Sequence, residues 1–182
     1  MFRKFDEKES VSSVSQLKSS VQKNIRNQII DTYPTFEPYF SEIWPKKEPA
    51  RLAKTHEKVE VLVVNHEPIF FKCRDSQWLP NIRILHQFPF LLPIQQVDEG
   101  AIKFILSGAD IMCPGLTSKG AFLDMETEKG AGVQVHCEGK ELPIAVGTMA
   151  MTPKEIKEVN KGVGIAVNHC LNDGLWHWKH VK

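Results

Sequence analysis

The residues best suited to covalent or metal chemistry in this 182-residue chain are four cysteines and seven histidines. Two of the cysteines directly follow a histidine, in His136-Cys137 and His169-Cys170. Neighbours on a strand point to opposite faces, so neither pair can form a dyad or hold a metal within itself, and only cross-pair combinations stay open. Cys73, Cys113, Cys137 and Cys170 are separated by 40, 24 and 33 residues. Without the C-x-x-C pairing of a zinc or redox site they read as reduced, mostly buried thiols. The chain has no G-x-S-x-G elbow, H-E-x-x-H pair, Walker loop or Rossmann fingerprint. Lys161-Gly162-Val163-Gly164 is a fragment of a phosphate loop that lacks the flanking glycine and the Lys-Ser/Thr ending, and it reads as a plain loop. These residues predict a protein that is not an enzyme and that needs no metal or cofactor.

Binding chemistry is better represented. Lys46, Lys47, Arg51 and Lys54 form the densest basic cluster, offset by Glu48, and are as consistent with phosphate binding as with a solvated loop. The net charge of +1 is not that of a strongly basic nucleic-acid binder, but it is unevenly spread. Residues 1–92 carry 14 Lys plus Arg against 11 Asp plus Glu, whereas residues 93–182 carry 9 against 11. The first half is therefore the expected phosphate-facing half. Trp176 and Trp178, two apart on an expected terminal strand, would project from one face, either as core packing or as a stacking platform for bases.

Several elements must position these groups. Val14, Leu17, Val21, Ile25 and Ile29 recur at helical steps, predicting a helix from about Val11 that stops before Pro34. Residues 34–50, with four prolines, read as a packed turn and an irregular connection. VEVLVV and IFFKC around NHEP predict a hairpin, and the prolines at 89 and 93 mark the expected domain boundary. Beyond it, Val97, Ala101, Phe104 and Ile105 predict a helix closed by Gly108, then a short strand ADIM and a Pro114-Gly115 turn with a positive φ at the glycine. GVQVHCEG alternates like a half-buried strand, and LPIAVGTMAM follows as another. Thr152, Pro153 and Glu155 signal a capped helix, VGIAV a strand, and Asn172-Asp173-Gly174 a hairpin turn before LWHWK. The overall expectation is α+β, with a compact barrel of mixed composition in the second half. No run approaches the roughly 18–20 apolar residues of a membrane span, so no membrane association and a cytoplasmic location are expected.

The stretch VDEGAIKFILSGADIMCPGL resembles the signature of the PUA domain, a small RNA-binding pseudo-barrel. Together with MFRKFDEKESVSSVSQLKSSVQ, QFPFLLPIQQ, NKGVGI and LNDGLWH, it makes the chain similar nearly end to end to the malignant-T-cell-amplified-sequence family. That resemblance implies a small N-terminal α/β domain over residues 1–91 that binds partner and ribosome, a PUA domain over 92–173, and a C-terminal strand or tail over 174–182. It implies a noncanonical translation factor without covalent chemistry. Such a factor pairs with density-regulated protein in a heterodimer that resembles the two ends of ligatin. It binds the rRNA of the small ribosomal subunit and the acceptor end of tRNA, promotes release of deacylated tRNA during recycling, and supports reinitiation.

Carried over residue by residue, the resemblance places the RNA site of the PUA domain at Lys103, Gly108, Pro114, Gly115 and Lys161; Lys119 is expected beside them, and the basic cluster Lys46, Lys47, Arg51 and Lys54 is expected to rest on rRNA, consistent with the charge asymmetry. Lys119 stands where the family commonly has proline, and residues 120–135 match the pattern poorly; Asp124, Glu126 and Glu128 would repel phosphate if they faced it and are expected to point away from RNA. Two other readings compete. One is a protein-interaction adaptor whose PUA-like domain does not bind RNA, and the other is an RNA-modifying enzyme with an appended PUA domain.

Overall fold

The computed structural model describes residues 1–73 and 76–181. The chain divides into two units, one of Phe5–Asn81 with the residues from Trp178 onward, the other of Met1–Lys4 with Ile82–His177. Residues 82–91, which the resemblance assigned to the first domain, pack in the second unit.

In the first unit, the helical turn α1 (Glu7–Ser10) is capped by the Asp6 carboxylate. There follow β1 (Val11–Gln16), α2 (Ser19–Thr32), α3 (Phe40–Ile43), β2 (Ala50–Thr55), β3 (Val59–Val64), β4 (Glu67–Cys73) and β5 (Leu79–Pro80). The strands form one antiparallel sheet in the order β1-β2-β3-β4-β5. The helix expected from Val11 begins only at Ser19, because VSSVSQ forms the edge strand β1 instead. Serine and valine are weak helix formers, and two valines three apart fit either geometry, so the ladder to β2 decides. All of β1 beyond Val11 is exposed, and main-chain pairing holds it, with the Ser12 hydroxyl donating to the Lys54 carbonyl at 2.9 Å.

The expected stop before Pro34 is present, with Ile25 and Ile29 buried along α2. Below that helix the rings of Phe36, Phe40 and Trp44 pack in succession at 5.7 and 5.9 Å. The hairpin is also present. Asn65 and His66, at φ 50° and 66°, make the two-residue turn between β3 and β4 with the left-handed backbone that matches strand twist.

The second unit contains α4 (Ile82–Gln87), β6 (Ile94–Val97), α5 (Ile102–Leu106), β7 (Ile111–Met112), α6 (Cys113–Thr117), β8 (Phe122–Leu123) and β9 (Gly132–Cys137). It continues with β10 (Ala145–Met149), α7 (Pro153–Val159), β11 (Val163–Cys170) and α8 (Gly174–His177). The sheet runs β7-β11-β10-β9-β6-β8, antiparallel except for the parallel β6–β9 pair, and makes a mixed half-barrel. Val97, Ile105, Ile111, Leu116, Val135, Met149, Ile156 and Ile165 are among the residues that fill its core. Thr152 caps α7 as expected, its hydroxyl accepting from the Glu155 amide while the Glu155 carboxylate reaches back to the Thr152 amide.

Three local expectations are corrected here. Cys113-Pro114-Gly115 opens α6 rather than forming a turn, and Gly115 has no positive φ, because proline is preorganised for a first helical turn. The strand β9, expected to be half-buried, is buried at all six positions, as a strand flanked on both sides by β10 and β6 can be. LWHWK is not a strand, because Gly174–His177 forms α8.

Asp173 explains the last of these. Its carboxylate accepts from the Trp176 amide at 2.9 Å, capping α8, and from the Cys170 amide at 2.9 Å and His169 Nδ1 at 2.8 Å. Burial alone would raise this carboxyl, but the hydrogen bond and charge of His169 and the two amides outweigh it and hold it below the usual range. Its stabilisation is therefore complete above the unfolded-state value, about 3.9, and is lost as pH falls through the lower folded-state value. Asp173→Ala, which strands a buried imidazole and two amides, is expected to destabilise this unit by about 3 kcal/mol in urea unfolding at pH 7. A much smaller loss at pH 7, or wild-type unfolding already weakening at pH 6, would contradict this role.

Candidate nucleic-acid interface

The chain between β6 and α6 folds around a pocket of about 730 Å³ in the second unit. Asp98 and Gly100-Ala101 contribute one side, Phe104 and Ile105 of α5 another, and Ala109–Met112, Pro114, Gly115 and Val163 the rest. Ile105 is buried and anchors α5 in the core, while its neighbour Phe104, about 100° further round the helix, is 57% exposed. Met112 is 50% exposed on β7. Large apolar side chains on such an open wall offer faces on which an unstacked base can lie.

Local backbone requirements build this shape. Gly108 takes φ +81°, donates its amide to the Ile105 carbonyl at 2.8 Å, and turns the chain out of α5 toward β7. On the opposite side, Gly164 lets α6 and α7 settle onto β11. A Cβ there would stand 2.7 Å from Leu116 Cδ1 and 3.2 Å from Ile156 Cδ1. Gly115 differs from both, since a Cβ at that position would meet nothing closer than Ile111 Cγ2 at 3.9 Å and its φ is ordinary. The fold does not require glycine at 115, yet this is a pocket-lining position in a helix, where glycine costs stability.

The structure gathers only part of the expected PUA site. Pro114 and Gly115 line the pocket, and Gly108 shapes the turn without lining it. Lys103 is exposed on α5 with its ammonium 5.0 Å from the Phe104 ring centre, and Lys161 is exposed two residues before Val163. Lys119 is exposed between α6 and β8 and takes no part in the lining, and neither do Asp124, Glu126 and Glu128. Phe104, Met112, Asp98, Asp110 and Val163 are lining residues that sequence reasoning did not assign. Only Phe104 carried a readable signal, because the residue beside a buried helix position faces off the core.

The N-terminal basic cluster is divided. Lys46 and Lys47 are exposed on the loop before β2, and Arg26 fixes that loop. The Arg26 guanidinium lies 4.0 Å from the Trp44 ring centre and donates to the carbonyls of Trp44 and Pro45 at 2.9 and 2.8 Å. Trp44 Nε1 in turn donates to the Glu48 carbonyl at 3.0 Å. Arg51 is half-buried on β2 and donates to the Val181 carbonyl at 2.7 Å, so its guanidinium has a structural duty. Lys54 lies about 10 Å further along β2, by strand rise, with its ammonium 3.8 Å from Glu60. It lines a second, polar cavity of about 480 Å³ with Ser12, Lys58, Glu60 and Lys72.

The groups capable of covalent chemistry are engaged elsewhere. His169 is paired with Asp173, His136 bonds Gln134 at 3.0 Å, and Cys113 sits 3.6 Å from the Met151 sulfur. Burial, helped by Asp173, pushes the Cys170 thiol up to about 11, far from a neutral-pH nucleophile. Among the described residues no group of three or more His, Cys, Asp or Glu could hold a metal ion.

Residues 5–89 match the model of the Pre-PUA-like domain and residues 92–174 that of the elF2D PUA domain. Over 182 residues, the full length of both chains, the protein is 52% identical to malignant T-cell-amplified sequence 1-B of Xenopus laevis. It is equally 52% identical over 182 residues to malignant T-cell-amplified sequence 2 of Homo sapiens. Translation machinery-associated protein 20 of Saccharomyces cerevisiae is 43% identical over 180 residues, 98% of each chain. A hypothetical protein of Pyrococcus horikoshii has a similar fold at 27% identity and a TM-score of 0.69, covering 91% of this chain and 98% of that one.

The contrast between the two glycines is measurable. Gly115→Ala is expected to leave stability unchanged or raise it by about 0.5–1 kcal/mol. Gly164→Val should cost roughly 1–3 kcal/mol through overpacking. Urea midpoints of the two variants check this, and a Gly115→Ala loss as large as that of Gly164→Val would show that the fold, not a ligand, demands the glycine at 115.

Proposed function

This chain belongs to the malignant T-cell-amplified sequence family of non-catalytic, translation-related proteins with pre-PUA and PUA domains, and from that premise we propose that it works by grasping RNA on the small ribosomal subunit. In this reading the protein is a noncanonical, cytoplasmic translation factor. Its PUA pocket receives the single-stranded acceptor end of tRNA, and its N-terminal loop with Lys46 and Lys47 rests on rRNA. With a protein partner of the density-regulated type, it promotes release of deacylated tRNA and reinitiation.

The observation that carries this reading is the pocket that combines exposed Phe104 and Met112 with Gly115, a glycine the fold does not need. RNA ends are gripped by stacking of splayed bases and close backbone approach, and both need such a surface. The ribosome contact is assigned to Lys46 and Lys47 because Arg26 presents their loop while Arg51 and Lys54 have carbonyl and carboxylate partners. Lys54 and Arg51 add charge nearby without being primary contacts, and Lys103, Lys119 and Lys161 are the phosphate contacts expected beside the pocket.

Phosphate contacts make affinity fall with salt, by roughly 0.7–0.9 in log–log slope per phosphate neutralised. Lys46→Glu/Lys47→Glu is expected to weaken binding to small ribosomal subunits by about tenfold at low salt and to flatten the slope by roughly 1.5, with folding and partner binding unchanged. Sedimentation binding across a salt series checks this. Salt-insensitive binding by the wild type would instead favour the adaptor in which the PUA-like domain does not bind RNA.

A further inference from the structure

We propose that the pocket selects the uncharged end of an RNA strand, a terminal nucleoside whose ribose bears free 2′- and 3′-hydroxyls, and rejects the same end bearing a phosphate. This rests on the RNA-end reading above and adds what the site discriminates. Among the described residues lining the pocket there is no lysine, arginine or histidine, and the only charged groups are Asp98 and Asp110. Lys103, on α5 with its ammonium 5.0 Å from the Phe104 ring centre, and Lys161 stand at the margin, outside the lining. A phosphate entering this pocket meets the half-buried Asp98 and the exposed Asp110 with no counter-charge in the lining, whereas a base and a sugar bring no charge of their own.

The two carboxylates are set to receive hydroxyl donors. Asp98 Oδ2 accepts from the Ser118 hydroxyl at 2.5 Å and Asp110 Oδ1 from the Val167 amide at 2.8 Å, which fixes each group in place. The remaining oxygens, Asp98 Oδ1 and Asp110 Oδ2, accept no hydrogen bond from the described residues. Gly100 keeps one of them clear, since a Cβ there would stand 2.9 Å from Asp98 Oδ1. An ionised carboxylate only accepts, so its natural partner in an RNA end is a sugar hydroxyl or an exocyclic amino group, in a charge-assisted bond. The pocket thereby divides the ligand. The base lies against Phe104 and Met112, the terminal hydroxyls meet Asp98 and Asp110, and the preceding phosphates stay outside, toward Lys103 and Lys161.

The test uses the full chain and one short 5′-fluorescent single-stranded RNA with three ends, 2′,3′-dihydroxyl, 3′-phosphate and 2′,3′-dideoxy, read by anisotropy at fixed salt. The dihydroxyl form is expected to bind at least about tenfold more tightly than the 3′-phosphate and several-fold more tightly than the dideoxy form. Asp98→Asn/Asp110→Asn keeps an acceptor for Ser118 and Val167 and is expected to narrow the phosphate penalty to under about threefold. Equal binding of the dihydroxyl and 3′-phosphate forms by the wild type would overturn this selection while leaving RNA-end binding intact. Failure of all three RNAs to bind at low salt would instead bring down the RNA-end reading itself, and the selection with it. If the double variant does not fold, the wild-type comparison of the three ends decides the matter alone.

Discussion

The close seating of α6 and α7 on β11 at Gly164 is the contact on which the pocket depends. A side chain there would meet Leu116 at 2.7 Å and Ile156 at 3.2 Å, so the absence of one sets how deeply both helices sink into the core. With Cys113 and Leu116 buried on the inner side of α6, helical geometry turns Pro114 and Gly115 toward the pocket. Across from them, Ile105 holds α5 by the same logic and leaves Phe104 outside. The pocket is thus the space left between two short helices, each fixed by its buried residues, and its open wall follows from which residues those are.

Much of this was legible in the sequence where local chemistry is decisive. The Thr152 capping box, the stop at Pro34, the hairpin around Asn65-His66 and the left-handed Gly108 each follow from residues within a few positions of one another. The misread elements were those decided at a distance. β1 is a strand because β2 offers its edge to VSSVSQ, and β9 is buried throughout because β6 returns beside it from 40 residues earlier (Ile94 against Gln134). LWH lies in α8 because Asp173, three residues after β11, caps a helix instead of turning a hairpin. The site followed the same rule. Pro114 and Gly115 could be named from their motif, but the charge of the lining, set by Asp98 and Asp110 from separate turns, emerges only when β6, α5 and β7 are assembled.

The same assembly revises the electrostatic picture. The four residues Lys46, Lys47, Arg51 and Lys54 look like one basic cluster in the chain, but the sheet parts them. Arg51 is drawn to the Val181 carbonyl and Lys54 toward Glu60, leaving the lysines of the loop held by Arg26 and Trp44 as its exposed face. Residues 93–182 have a net charge of opposite sign, and the second unit carries a pocket of apolar and acidic character. In the proposed reading attraction and recognition are separate physical tasks, the first long-ranged and screened by salt, the second dependent on contact, shape and hydrogen-bond donors.

That separation is tested most directly by NMR titration of the isotopically labelled chain with a short single-stranded RNA bearing a free 3′ end. The expected result is that the perturbed amides and methyls concentrate at Ala101, Phe104, Met112, Gly115 and Val163, and that these perturbations persist at a salt concentration that removes those at Lys46 and Lys47. Perturbations confined to the lysine loop, with the pocket residues unmoved at saturating RNA, would contradict the assignment of RNA-end recognition to this pocket.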